Sequence, residues 1–77
     1  MFVYVLYSER THKRYIGQTN DLIKRLNEHN KGHVKSTQAG LPWRVIAYKE
    51  YSLRSEARWV EYSLKRSKKE LNRFLGL

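Results

Sequence analysis

A chain of 77 residues without a single cysteine has only its core and its hydrogen-bond ladders to hold it together. Neither a disulfide framework nor a thiolate zinc site is open to it, and so short a chain supports one hydrophobic core. It therefore reads as one domain over residues 1–77. Hydrophobic residues make up 40% and aromatic residues 13% of the chain, which excludes a disordered tail. The longest uncharged apolar run, Phe2 to Tyr7, is far too short to span a bilayer, so no membrane partner is expected. The N-terminus, Met-Phe-Val-Tyr, shows no mark of an export signal, and a cysteine-free chain fits the reducing cytoplasm.

With no covalent staple, the order of helices and strands carries the fold. Phe2 to Tyr7 is rich in β-branched and aromatic residues, and Arg14 to Gly17 is a second short β-like run beyond a polar turn; together they predict a hairpin. Trp43 to Tyr51 is the third strand. Thr19, Asn20 or Asp21 caps a helix over Asp21 to Asn30 that carries Leu22, Ile23 and Leu26 on one side and ends near Gly32. Ser52 or Ser55 caps a second helix, in which Ala57, Val60 and Leu64 recur at the spacing of a buried stripe. Lys68 to Leu75 forms a short last helix, and Lys31 to Pro42 reads as a long basic loop. The order β-β-α-β-α-α predicts an α+β domain with helices packed on a small antiparallel or mixed sheet.

Sixteen Lys and Arg against seven Asp and Glu leave a net charge of +9. A small surface so charged favours a polyanionic partner, nucleic acid first, although charge serves solubility as well. The cations of the loop and last helix, Lys31, Lys35, Lys68, Lys69 and Arg73, are the candidates for phosphate contact. No nucleophile elbow, phosphate-binding glycine loop or zinc spacing is present, and no small-molecule cofactor is expected.

Four features could carry chemistry. Arg25 and His29 lie one turn apart at the edge of the first helix's apolar stripe and can point into a common cleft. Tyr7 and Tyr15 end the first strand and begin the second, where a hairpin could make them neighbours. Gly17 follows as a site of close backbone approach or a bulge. Glu56 and Glu61 flank the stripe of the second helix on opposite sides, and periodicity does not choose between them.

Val5-Leu6-Tyr7, Tyr15-Ile16-Gly17, Arg25 and His29 on the next helix, and the stretch Glu56-Ala57-Arg58-Trp59-Val60-Glu61 together resemble the GIY-YIG nuclease superfamily. More closely, the layout is similar to the small stand-alone GIY-YIG domain proteins of bacteria, over about Phe2 to Phe74. Val5 and Leu6 stand where the first motif has Gly and Ile, and Gln18 where some relatives, such as the excision-repair nucleases, carry Lys.

The resemblance implies a three-stranded antiparallel sheet flanked by helices and an endonuclease that hydrolyses DNA phosphodiester bonds with Mg²⁺ or Mn²⁺, in DNA repair or recombination. It implies Glu61, not Glu56, as the metal ligand, with phosphate and water completing the shell. Arg25 would neutralise charge developing on the phosphate. Tyr7 would activate or position the attacking water, with Tyr15 beside it and His29 assisting. A tyrosine of ordinary pKa, about 10, is a poor base at neutral pH, so a nearby cation or metal would have to favour the phenolate. Asn72 lies near where larger relatives place an asparagine and is left out of the set. Duplex or branched DNA is the expected partner. The alternatives are a non-catalytic nucleic-acid-binding module that keeps the fold and, third, a protein-interaction domain.

Overall fold

Phe2 to Ser8 is apolar at almost every position, and a strand of that kind needs cover on both faces. The computed structural model, which describes residues 1–77, supplies it. This segment is β1 (Phe2–Ser8), the central strand of a three-stranded sheet ordered β2-β1-β3. β2 (Lys13–Thr19) and β3 (Trp43–Glu50) both pair with it antiparallel. The mixed sheet left open by the strand pattern is thus excluded. Val3, Tyr4, Val5 and Leu6 are each at most 1% exposed, so β1 is the floor of two cores, one on each side of the sheet.

On one side, Val3 packs with Ala57 and Leu64, joined by Ile16, Val60, Leu71 and Phe74. On the other, Tyr4, Leu6 and Trp43 pack with Tyr15, Leu22, Leu26 and Val45. The β1–β3 register shifts at Val5/Leu6, where Ala47 and Val45 are the successive partners. Such a bulge bends one strand and sharpens the local twist.

The first helix, α1 (Leu22–Asn30), is capped by Asp21, whose carboxylate accepts from the Lys24 N–H at 3.1 Å. At its other end Gly32 takes the left-handed conformation, φ +77°, and the N–H groups of Gly32 and His33 return to the carbonyls of His29 and Glu28. That pairing is a Schellman motif, which glycine enters without a Cβ penalty. Ile23 departs from the expected stripe: it is 76% exposed, and only Leu22 and Leu26 face the core.

Two further expectations need correction. The segment after α1 is not an open loop throughout, because Lys35–Gly40 winds into a 3-10 helix. Its anchors are side chains: Asn30 Nδ2 donates to the Trp43 carbonyl, Asn30 Oδ1 accepts from the Trp43 N–H, and Trp43 Nε1 donates to the Thr37 carbonyl at 2.7 Å. Nor does a serine cap the second helix, α2 (Arg54–Arg66). Its N-cap residue is Leu53, whose N–H is taken by Glu56 Oε1 at 3.1 Å, so a carboxylate in the first turn satisfies the orphan donor and complements the helix dipole. The last helix, α3 (Lys68–Phe74), starts as a serine cap dictates, with Ser67 Oγ accepting from the Glu70 N–H. No helix is long and apolar enough to cross a membrane.

Candidate active site

The hairpin register decides which tyrosines meet. Tyr4 stands opposite Gly17, Leu6 opposite Tyr15, and Tyr7 opposite Arg14. Residues directly opposed across an antiparallel pair point to the same face, and successive residues alternate. Tyr4 and Tyr15 therefore share the face that α1 covers, while Tyr7 belongs to the other. The expectation that Tyr7 and Tyr15 are neighbours is overturned. The Tyr7 hydroxyl pairs instead with His12 Nδ1 at 3.2 Å near the hairpin turn, and its ring lies under the Arg44 guanidinium.

The tyrosine that joins Arg25 and His29 is Tyr4, which the motif reading passed over. Its ring crosses β2 directly above Gly17, where a Cβ would come within 2.5 Å of the Tyr4 hydroxyl and 3.2 Å of the Tyr15 ring. Glycine is required there for space, since the pair of aromatic rings occupies the volume of any side chain. The signal was present in the alternation: Tyr4 and Leu6 share parity with each other and not with Tyr7.

From Tyr4 a chain of buried hydrogen bonds runs inward. The Tyr4 hydroxyl lies 3.1 Å from His29 Nε2, and His29 Nδ1 lies 2.8 Å from Thr37 Oγ1. Thr37 donates its own hydroxyl proton to the Val34 carbonyl, so toward His29 it accepts. Nδ1 thus carries the imidazole proton, Nε2 carries the lone pair, and Tyr4 O–H is the donor to it. Tyr15 walls the imidazole, ring to ring at 5.0 Å and nearly edge-on. His29 and Thr37 are at most 1% exposed, and the 3-10 helix that carries Thr37 is what makes the loop part of the site.

Burial sets the protonation states. Desolvation lowers the His29 pKa, and the Arg25 charge lowers it further against a smaller opposing pull from Glu28, so the imidazole is neutral at pH 7. Desolvation raises the Tyr4 pKa above its usual value; a hydrogen bond from Arg25 pulls the other way, and Tyr15 and Glu61 add to the rise. The phenol is protonated at neutral pH and faces a base already poised to take its proton. Because folding depresses the His29 pKa, the folded state binds fewer protons than the unfolded chain as pH falls below about 6.5. The stability conferred by the neutral imidazole is complete above that pH and is lost below it. Thermal melts from pH 7.5 to 5.5 are expected to show a falling melting temperature in the parent and a much flatter profile in His29→Gln; equal slopes in the two would assign the effect to other groups.

Arg25 is half-buried, and its guanidinium is held at Nη1 by Glu28 Oε1 at 3.3 Å. The Tyr4 hydrogen bond raises the Arg25 pKa, so the cation is permanent. Glu61 approaches from α2, its side chain 18% exposed and paired with Lys65 Nζ at 2.7 Å. Glu56, in contrast, is consumed by the helix cap. No group of three or more His, Asp or Glu side chains converges anywhere. A hard cation at Glu61 would have to complete its shell with water and phosphate oxygens. The donor chemistry suits that: the negative charge of Glu61 is felt at Tyr4, whose pKa it raises, and the carboxylate already holds a cation, the Lys65 ammonium.

The expected phosphate-binding cations do not form one patch. Lys68 borders a groove along β2 with Arg14, Tyr15 and Lys65, next to the site. Lys31 lies in a separate depression beside Lys24 and Asn27, and Arg73, paired with Glu70 at 3.2 Å, lines another with Tyr48. Lys35 and Lys69 are exposed.

Residues 1–74 match the family model described as the GIY-YIG catalytic domain. Among curated proteins, the chain is 43% identical over 61 residues to the UPF0213 protein YazA of Bacillus subtilis (strain 168), which covers 74% of this chain and 62% of that protein. It is 39% identical over 69 residues to a UPF0213 protein of Streptococcus pneumoniae serotype 4, covering 88% and 69% of the two chains. With a UPF0213 protein of Bacillus velezensis the identity is 40% over 73 residues, covering 90% and 73%. The chain thus spans less than two thirds of the Bacillus subtilis relative. No solved structure matches it.

Proposed function

The chain belongs to the GIY-YIG catalytic domain family, and from that premise we propose that it is a divalent-metal-dependent endonuclease that cuts DNA, with Tyr4, Tyr15, Arg25, His29 and Glu61 around the scissile phosphate. The observation that carries this reading is the buried chain from the Tyr4 hydroxyl through His29 to Thr37, set beside a fixed guanidinium. A tyrosine alone is a poor base at pH 7. Coupled to a neutral imidazole, Tyr4 takes a proton from the attacking water while passing its own to His29 Nε2, so no free phenolate has to form. Thr37 holds the tautomer that makes Nε2 the acceptor, and the Tyr15 ring fixes the plane of the imidazole. Arg25 offers fixed charge where the phosphate gains negative charge in the transition state.

Mg²⁺ or Mn²⁺ held by Glu61 would supply Lewis-acid activation of the phosphate and stabilisation of the leaving oxygen. Before DNA arrives, Lys65 neutralises the carboxylate. The +9 charge supports duplex or branched DNA as the partner, bound through phosphates with little sequence preference. A cytoplasmic role in repair or recombination completes the proposal.

One observation favours the alternative of a binding module that keeps the fold: the carboxylate assigned to the metal, Glu61, is already ion-paired. The test is incubation of purified protein with labelled branched, nicked, single-stranded and duplex DNA, with Mg²⁺, with Mn²⁺ and with chelator. Metal-dependent nicking is expected, and Arg25→Ala is expected to slow it by on the order of a hundredfold or more, the usual effect of removing one stabiliser of developing charge. Binding without cleavage under every metal condition would replace the nuclease reading with the binding-module one.

A further inference from the structure

The outer face of α2 carries a feature for which neither the core nor the candidate site has a use. Trp59 is 69% and Tyr62 41% exposed, and their rings lie side by side, centroids 5.8 Å apart and 35° from coplanar. The buried stripe of this helix, Ala57, Val60 and Leu64, faces the opposite way. Arg54, Arg58, Trp59 and Tyr62 line one shallow depression, and the Arg66 guanidinium covers the Tyr62 ring at 5.2 Å. None of these three arginines has a carboxylate within ion-pair distance. The two acids of α2 are engaged elsewhere, Glu56 on the Leu53 N–H and Glu61 on Lys65.

Arg66 also donates to the Tyr62 hydroxyl, and exposed aromatic rings interleaved with guanidiniums that have no carboxylate partner match the chemistry of an unpaired nucleic-acid strand. Bases offer π-faces for stacking, and the phosphates between them take the cations. A duplex cannot use the rings, because its bases are already stacked within the helix. A protein partner would match the aromatics but would need a cluster of acids to meet three arginines. We propose that this face is a stacking platform for a single-stranded stretch of the DNA, and so that the substrate is DNA with an unpaired segment next to the scissile bond, such as a flap or a fork.

The geometry connects the platform to the site. Successive helical residues are rotated by about 100°, which puts Tyr62 a quarter-turn from Glu61, with Arg58 between them on the helix surface. A strand leaving Glu61 crosses Arg58 and reaches Tyr62 and then Trp59. The path to the scissile bond rests on the nuclease reading; the platform itself does not.

The fold provides the readout. The chain has two tryptophans, and Trp43 is buried, 7% exposed, so quenching of tryptophan fluorescence by a strand stacked on the surface reports Trp59. In chelator, titration with oligo-dT is expected to quench the parent, and Trp59→Ala is expected to abolish the quench and weaken oligo-dT binding by roughly five- to a hundredfold, the range for loss of one base–aromatic stack. Trp59→Phe should restore most of the affinity, and blunt duplex affinity should be nearly unchanged in both variants. Circular dichroism checks folding, which an exposed side chain does not control.

Three results overturn the platform: Trp59→Ala binding oligo-dT like the parent, equal losses for single strand and duplex, or a parent dimer that Trp59→Ala converts to monomer, which would make a second copy the occupant. Cleavage with metal is scored separately. A parent that stacks oligo-dT yet cuts nothing keeps the platform and ends the nuclease reading. One that cuts blunt duplex as fast as forked DNA, with Trp59→Ala unaffected in binding, does the reverse.

Discussion

Tyr4→Phe is expected to lower metal-dependent DNA cleavage by on the order of a hundredfold or more, the usual range for a lost acid–base group, while Tyr7→Phe leaves the rate close to that of the parent. The phenyl ring of the first variant still lies across Gly17 and fills the core between β1 and α1, so the fold survives. What disappears is the one donor to His29 Nε2, and with it the path by which a proton leaves the attacking water. The unpaired imidazole nitrogen stays buried, which costs about 1–3 kcal/mol, and a melting temperature measured alongside the rate separates this penalty from the catalytic one. Tyr7→Phe removes only a hydroxyl bonded to His12 on the other face of the sheet. If Tyr7→Phe proves the slow variant and Tyr4→Phe the active one, the Tyr4–His29–Thr37 chain is a structural network and not the proton path.

The exchange of Tyr7 for Tyr4 marks what a single chain of residues reveals and what it withholds. The strands were legible because β-branched and aromatic runs are interrupted by polar turns, and α1 because Asp21 and Gly32 bracket it with caps whose chemistry is local. Register is not local. It depends on how many residues the hairpin turn consumes, here Glu9 to His12 between Ser8 and Lys13, with His12 at φ +58°, and a shift of one residue sends every side chain to the opposite face. Tyr7, three positions along the same strand, therefore takes in the sequence reading the place that Tyr4 holds beside His29. The same limit hid Thr37. Nothing in a basic, polar segment predicts that its threonine will reach the imidazole of the preceding helix, because that contact depends on Asn30 tying the Trp43 backbone to α1 and on the Trp43 indole holding the Thr37 carbonyl. The start of α2 differs for another reason: two serines offer caps by type, but Glu56 serves the backbone from inside the helix, and residue type alone does not rank such competitors.

That cap also separates the two glutamates that helix periodicity treated as equals. Glu61→Gln is expected to abolish cleavage in Mg²⁺ and Mn²⁺ alike and to leave DNA binding equal or slightly tighter. The amide keeps the shape of the side chain but cannot neutralise a divalent cation, and one negative charge near the phosphate is removed. Stability should barely change, since the lost Lys65 partnership is an ion pair whose lysine is half exposed, and such pairs contribute about 0–1 kcal/mol. Glu56→Gln should do the opposite. Its amide oxygen can still accept from the Leu53 N–H, but the charge at the N-terminus of α2 is gone, a loss of about 0.3–1 kcal/mol, with the cleavage rate unaffected. Rates with each metal, binding in chelator and thermal melts on both variants resolve the pair. Cleavage that survives Glu61→Gln and fails in Glu56→Gln would move the metal to the start of α2 and undo the assignment of Glu61.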